Sequence, residues 1–428
     1  MDPAEFRSTA NEWSYRADEL YRASVILRDL EEGSLRVGVK DLIDVRGLPT
    51  RLGLPRYRRY PQRSAAALAG VPSEAVTAKL ISTELGIGMR HGCVNPYFPH
   101  LDPAGSSTGS AVAVAAGICD LALGTDTVVS VRLPAAACGI VGLRLTHRPA
   151  AMSGTFVLSS TLDAPGWMTR TVDDLAYLWH RFELTLGNRG HFAAPPARLR
   201  VGVLTEVADD EVEPEMRAAF DAACAALVAA GHDVVPVSVG ELFRNRGLAY
   251  ELCARDAWDS YRRHRDQLAD SLDDSTVEAL QVGAAVSDAR QQELLATQTA
   301  YRDAALRSFA EHRLDAWLMP AGTLMPRNLF VEEGPSSTIP QAGERRTATR
   351  VNYATMASFA GLPAITFPIG FSPDHHAPIG VQAMAPPHAE PTLIALASAI
   401  SDAAPAYDFS LAQTRHPSWP ADLEARTP

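Results

Sequence analysis

The stretch that most restricts how this chain can fold is AGSSTGSAVAVAAGI, residues 104–118. A loop of Gly and Ser opens into a run of Ala and Val that carries no charge. A helix with small apolar residues on every side has no face to offer water, so it must be packed tightly on several sides. That requires a layered core. The chain can build one: 46% of its 428 residues are hydrophobic and 21% charged, ordinary values for a globular protein.

Other segments supply the layers. Residues 35–45 (LRVGVKDLIDV) read as a short apolar strand running into a loop, and 119–134 (CDLALGTDTVVSVRLP) as an apolar strand passing into a polar turn. In 73–90, Ala75, Val76, Leu80 and Ile81 sit at helix-like spacing, so a helix is expected there. Strands are expected at 199–204, 232–238, 314–320, 363–370 and 379–384. Helices are expected at 213–230, over most of 245–312 and near 391–403. Apolar strands alternating with helices predict an α/β fold, a single interleaved α/β/α domain with a central twisted mixed sheet covered by helices. Residues 1–34 are expected to form an N-terminal helical segment, 35–190 the core bearing the motifs, and 191–428 the rest of the same domain. Within that last part, 245–312 would cover the substrate. Segment 192–199 (FAAPPARL) has the composition of a linker, but strands return after it, which favours one domain over two lobes.

Charge and cysteine content exclude several classes. The formal charge is −11 and the pI about 5.6, so neither nucleic acid nor an anionic membrane is expected as a partner. No run of about 20 apolar residues suggests a membrane span. Met1–Tyr21 has no apolar centre, so neither a signal peptide nor an anchor is expected. Cys93, Cys119, Cys138, Cys224 and Cys253 are odd in number and form no CxxC pair. Neither a disulfide framework nor a metal site is indicated, and a reducing cytoplasm is the expected setting.

Three residues carry candidate chemistry. Ser106 and Ser107 stand at a helix start, where unpaired N–H groups can hold a polar group; serine there is also a common cap. Ser130 ends the turn that follows Thr125–Asp126–Thr127, and successive N–H groups of such a turn can receive an oxyanion. Lys40 follows an apolar strand directly. Burial there would depress its pKa and make it a base, whereas an exposed strand end would leave it an ordinary lysine.

The segments that hold these residues, taken together, resemble the amidase signature family. LRVGVKDLIDVRGLPTRLG looks like its lysine segment, AGSSTGSAVAVAAG like its Gly-Gly-Ser-Ser-Gly-Gly-Ser loop, and LALGTDTVVSVRLPAAACGIVGLRLTH like its Gly-Thr-Asp-Thr-Gly-Gly-Ser segment. Ser106 and Ser130 stand 24 positions apart (130 minus 106), the family's spacing. AKLISTELGIG places Glu84 on the family's glutamate, and LDAWLMPAG, NYATMASFAGLPAITFPIGF and PIGVQAMAPP match its late strands. The resemblance runs over most of 35–400. The catalytic subunit of glutamyl-tRNA amidotransferase is expected to be a poor match, because its sequence around Glu84 is absent here and no partner-docking extension is evident.

The resemblance implies the amidase signature fold and a serine-nucleophile amide hydrolase without metal or organic cofactor. Ser130 would attack the amide carbonyl. Ser106, behind a cis Gly105–Ser106 bond, would relay its proton to Lys40. Backbone N–H groups of Thr127, Val128, Val129 and Ser130 would hold the oxyanion. Ser107 and Thr108 would shape the loop, and an Asp126–Arg132 pair would stiffen the turn. The substrate would be a small-molecule carboxamide, and a homodimer is compatible with the sequence. Val128 and Val129 stand where the family usually has glycine, and Thr108 and Leu80 replace a glycine and a threonine. β-branched residues disfavour positive φ, so a modified oxyanion turn with slow or selective turnover is expected. The valines would also narrow the acyl pocket. Two other readings stay open: an acyl or amide-forming transferase on the same acyl-enzyme, and a binding homologue that has lost catalysis. The divergent motif points to a tailoring role in specialised metabolism.

Outside these motifs, His375 and His376 in SPDHHAP read as a loop between strands. His91 and Cys93 are read as lining the pocket or its floor, and Trp317 and Phe359 as core. Substrate contacts are expected from 145–165, 245–290 and 320–350.

Overall fold

A computed structural model describes residues 3–31, 35–182, 192, 194–208, 212–268, 272–334, 339–340 and 352–403. Among them, eleven strands make one mixed sheet. In chain order they are β1 (Ser24–Leu27), β2 (Val37–Lys40), β3 (Val76–Leu80), β4 (Leu121–Asp126), β5 (Val141–Arg144), β6 (Ala164–Thr169), β7 (Arg200–Leu204), β8 (Asp233–Val237), β9 (Ala316–Pro320), β10 (Ala364–Ser372) and β11 (Ala377–Met384). Across the sheet the order is β1-β3-β2-β4-β6-β5-β10-β11-β9-β7-β8. β2 runs parallel to both β3 and β4, and β7 parallel to β8 and β9. The other pairings are antiparallel.

Helices cover both faces. They include α1 (Pro3–Tyr21), α2 (Thr108–Ala115), α3 (Arg132–Ala137), α4 (Val172–Phe182), α5 (Pro214–Ala229), α6 (Glu241–Arg244), α7 (Leu248–His264), α8 (Asp274–Ala285), α9 (Asp288–His312), α10 (Thr355–Ala360) and α11 (Glu390–Ala403). Strand alternation assigns the faces, because successive side chains point to opposite sides. Leu121 and Leu123 of β4 join the cluster built by α4, α5 and α11 through Leu175, Phe220 and Leu393. Ala122 between them faces α2 through Ala111 and Val112. Trp317 and Met319 of β9 likewise face α7–α10, with Leu318 on the other side. Trp317 and Phe359 are both core.

All eight residues of α2 are buried, as its composition requires. A Cβ on Gly109 would stand 2.3 Å from the Ala23 carbonyl oxygen and 2.5 Å from the Ile81 nitrogen. That gap is what lets α2 lie against the backbone leading into β1 and out of β3.

The structure corrects one expectation outright. The helix read in 73–90 is a single turn at Ser73–Ala75 followed by strand β3. All five β3 residues are buried between β1 and β2. A strand covered on both faces loses its alternation, and a short apolar run then reads equally well as helix. Strands β1, β5 and β6 went unread. Gly142 in β5, with Pro165 and Gly166 in β6, suggest loops, yet a Cβ on Gly142 would stand 2.7 Å from the Ala135 Cβ of α3. The N-terminal 1–34 thus contains the helix α1 and also β1, which pairs with β3 at the sheet edge. After the exposed residues 194–198, β7 enters the same sheet beside β9.

Candidate active site

β2, β3 and β4 are parallel and end at one edge of the sheet. The carboxyl ends of parallel strands are where loops converge into binding crevices. The last residue of β2 is Lys40 and the last of β4 is Asp126, both fully buried. Lys40 Nζ donates to Ser106 Oγ at 2.7 Å and to Thr125 Oγ1 at 2.9 Å. Desolvation lowers the Lys40 pKa to about 7, against the pull of Asp163 and Asp126. Such an ammonium loses its proton readily near neutrality.

Ser106 sits in the loop before α2, and the Gly105–Ser106 bond is cis. The loop is sewn to its neighbours. Ser107 Oγ donates to the Thr125 carbonyl at 3.1 Å and accepts from Thr125 N at 3.3 Å. Ser107 N donates to the Ser130 carbonyl at 3.2 Å, and Thr108 Oγ1 to the Ala104 carbonyl at 2.6 Å. The contact needs glycine on β4: a Cβ on Gly124 would be 2.8 Å from Ser107 Oγ.

The Thr127–Ser130 turn joins β4 to α3. Neither Val128 nor Val129 has positive φ. The conformational objection to valine at these positions therefore does not arise in this turn. Its carbonyls face the protein: Val128 O accepts from Arg132 Nη2 at 2.8 Å and from Ser358 Oγ at 2.7 Å. Among the described residues, no hydrogen bond takes the N–H groups of Thr127, Val128, Val129 or Ser130 as donors.

Asp126 anchors the turn from beneath. Its Oδ1 pairs with Arg132 Nη2 at 3.0 Å and with Arg144 Nη1 at 2.9 Å. Its Oδ2 accepts from Arg132 Nε at 3.0 Å and Val131 N at 3.2 Å. Burial pushes the Asp126 carboxyl up, but the two guanidiniums outweigh it and hold the group well below the usual carboxylate range. Burial lowers Arg144 to about 10 against the pull of Asp126. Asp163 holds the start of the turn, accepting from Thr127 Oγ1 at 2.7 Å, Leu158 N at 2.8 Å and Ser159 N at 3.2 Å. Burial pushes the Asp163 carboxyl up to about 6 in spite of these donors.

Ser106, Ser130 and the residues between Asp126 and Ser130 line one cavity of about 260 Å³. Its apolar wall includes Leu158, Met216, Tyr250, Met325 and Ile339. The three segments expected to contact substrate each reach it, through Leu158, through Tyr250 and Cys253, and through Met325 and Ile339. Met216 and residues 86–89 line it as well and were not expected to. His91 is in the wall, but Cys93 is not. Burial raises the Cys93 thiol far from its thiolate form, and Cys93 N donates to His91 Nδ1 at 3.1 Å. That is no nucleophile pair. His375 and His376 lie in the turn between β10 and β11. Among the described residues, no group of three or more His, Cys, Asp or Glu could hold a metal. Also among them, no helix is long and apolar enough to cross a membrane.

The profile of the protein family described as Amidase matches residues 34–394. The chain belongs to the amidase family. A relative from Comamonas testosteroni, 2-amino-5-chloromuconic acid deaminase, is 33% identical over 387 residues, covering 86% of this chain and 80% of its own. A glutamyl-tRNA(Gln) amidotransferase subunit from Synechococcus sp. (strain RCC307) is 29% identical over 416 residues, covering 86% of this chain and 83% of its own. That similarity, which runs along most of both chains, corrects the expectation that this subunit would match poorly. A solved structure of 6-aminohexanoate cyclic dimer hydrolase complexed with substrate shares the fold at TM-score 0.79 and 23% identity, over 98% of this chain and 96% of that one. This chain is an amidase, a hydrolase of amide C–N bonds.

Three polar residues of this candidate site were missed from sequence: Thr125, Arg144 and Asp163. Each left a signal. Thr125 precedes Asp126 at a strand end, and Arg144 and Asp163 are single charges within apolar segments. A charge that must be buried usually has a partner. Among the described residues, Glu84 makes no hydrogen bond to Ser106 or Ser130. Its Oε2 accepts from Asp273 N at 2.8 Å and Thr276 Oγ1 at 2.9 Å, tying the loop after β3 to the start of α8.

Proposed function

We propose that this amidase hydrolyses small-molecule carboxamides through a Ser130 acyl-enzyme, with Ser106 and Lys40 as the proton relay. The observation that carries it is the fully buried Lys40, hydrogen-bonded to Ser106 in the wall of the cavity that Ser130 also lines. Neutral Lys40 takes the Ser106 proton as Ser106 takes that of Ser130. Ser130 Oγ bonds to the carbonyl carbon, and the C=O electron pair moves onto oxygen. The free N–H groups of residues 127–130 receive that charge; one such donor is typically worth about 2.7–4 kcal/mol. Collapse breaks the C–N bond, and the leaving amine takes the proton back through Ser106. Water repeats the sequence and releases the carboxylic acid.

The apolar wall suits an apolar acyl group. All five cysteines are free, four of them buried, which supports a cytoplasmic setting. A tailoring role in small-molecule metabolism is in keeping with the relative named for 2-amino-5-chloromuconic acid. The test is a screen of small amides with wild type and Ser130→Ala, together with mass spectrometry after an alkyl fluorophosphonate. Hydrolysis abolished in Ser130→Ala and an adduct on the Ser130 peptide are expected. Equal hydrolysis by both proteins, or an adduct elsewhere, would sink the nucleophile.

A further inference from the structure

We infer that Asp163 is a positioning residue of this site: it tethers the Thr127–Ser130 turn through the Thr127 hydroxyl and supplies the negative charge that Lys40 works against. The inference rests on the reading of Lys40 as base and adds a fourth side chain to it.

The geometry is that of a built anchor. Asp163 directly precedes β6, whose first residue Ala164 pairs with Asp126 at the end of β4. Asp163 therefore stands beside the point where β4 gives way to the turn. Its side chain is buried, 2% exposed. One carboxylate oxygen accepts, among the described residues, from Thr127 Oγ1 alone, at 2.7 Å, and the other from the Leu158 and Ser159 N–H groups. Thr127 is the first residue whose N–H is free for an oxyanion. Its hydroxyl is thus fixed by a group that stands just before a neighbouring strand. Asp126 fixes the far end of the turn through Val131 N and Arg132. The turn is held at both ends by buried carboxylates, one at each side of its four donors.

The two carboxylates differ in what else they meet. Asp126 is neutralised by two guanidiniums at 3.0 and 2.9 Å. Asp163 makes no ion pair at salt-bridge distance among the described residues. Its charged neighbours act from further off: Arg144 on its own carboxyl, and Lys40, for which Asp163 is the largest attraction. Two other titratable groups stand against it among the described residues: His147, whose Nδ1 lies 2.8 Å from the Asp163 carbonyl and which burial keeps toward the neutral form, and Cys253, whose thiol is held protonated by burial and by the Asp163 charge. A carboxylate not already spent on an arginine is the one able to stabilise Lys40 when it holds a proton mid-cycle. The opposite charge nearby raises the pKa of the lysine, which burial alone would lower further. Asp163 so sets how much of Lys40 is neutral at a given pH, while its bond to Thr127 sets where the donors point.

The two functions separate in kinetics. Asp163→Asn removes the charge, so the acid limb of kcat/KM should move to lower pH by roughly half to one unit. Thr127→Val removes the hydroxyl that stabilises the Asp163 anion. Its plateau kcat should fall roughly tenfold as the donors loosen, and its acid limb should move down in the same direction but less. Thr127→Ser should restore both. A purely structural role would lower activity and leave the limb where it was. Fluorophosphonate labelling of Ser130 in each variant checks that the site is folded, and Thr127→Val carries the test alone if Asp163→Asn does not fold. Labelled variants with an unmoved acid limb would overturn the inference and leave the Ser130 reading intact. Failure of wild type to label at Ser130 would overturn both.

Discussion

Lys40 answers to two opposed demands. As a base it must be neutral near physiological pH, and burial achieves that; as a buried amine it costs stability. With a folded pKa of about 7 against an ordinary 10.5, the direction of both effects follows. Activity should rise with pH through about 7 and then level off, as Lys40 loses its proton. Between about 7 and 10.5 the unfolded chain binds the extra proton, so the contribution of Lys40 to stability improves as pH rises and is worst below 7. Lys40→Met should abolish hydrolysis and raise the midpoint of thermal unfolding at pH 6. Removing a buried charge relieves a penalty of a few kcal/mol, which exceeds the one or two hydrogen bonds lost with Ser106 and Thr125. Calorimetry of the two proteins decides it: a lower midpoint for Lys40→Met would mean that Lys40 is not strained by burial. At this scale the sequence was legible through order and spacing. Lys40, Ser106 and Ser130 could be picked out because their segments are local motifs. Asp163 and Arg144 could not, because what gives them a role is a partner 36 or 18 positions away.

α2 shows how far a segment's composition reaches. Its burial was readable because no residue in it tolerates water, and its small side chains have a reason in Gly109. Ala is favoured over Gly in a helix interior by about 1 kcal/mol, so propensity alone says Gly109→Ala should stabilise. The added Cβ would meet backbone atoms of Ala23 and Ile81 at 2.3–2.8 Å, and backbone cannot give way as a flexible side chain does. Overpacking of this kind costs typically 1–3 kcal/mol or more. Gly109→Ala should therefore lower the unfolding midpoint and the soluble yield; an unchanged midpoint would show that α2 can shift away from β3. β3 itself was misread for a related reason. Its neighbours on both sides hide the alternation that betrays a half-exposed strand, and that information lies in the partners.

Across the whole molecule, Glu84 is one of the links between the sheet end that carries Lys40 and the helical cover. Glu84→Ala would free Asp273 N and the Thr276 hydroxyl, loosening α8 from the loop after β3. KM should rise by several-fold more than kcat falls, and limited proteolysis should open near Asp273–Thr276 at the start of α8. A change confined to kcat would place Glu84 in the chemistry instead. The sheet order carries another consequence, for synthesis. β10 and β11 lie between β5 and β9, yet among the described strands they are the last to be made. While residues 320 to 384 are being translated, the nascent chain holds two half-sheets with bare facing edges and nothing to bridge them. At about 5–20 residues per second that interval lasts roughly 3–13 seconds. During it the emerging protein is most open to mispairing with another chain, and most in need of a chaperone's shelter.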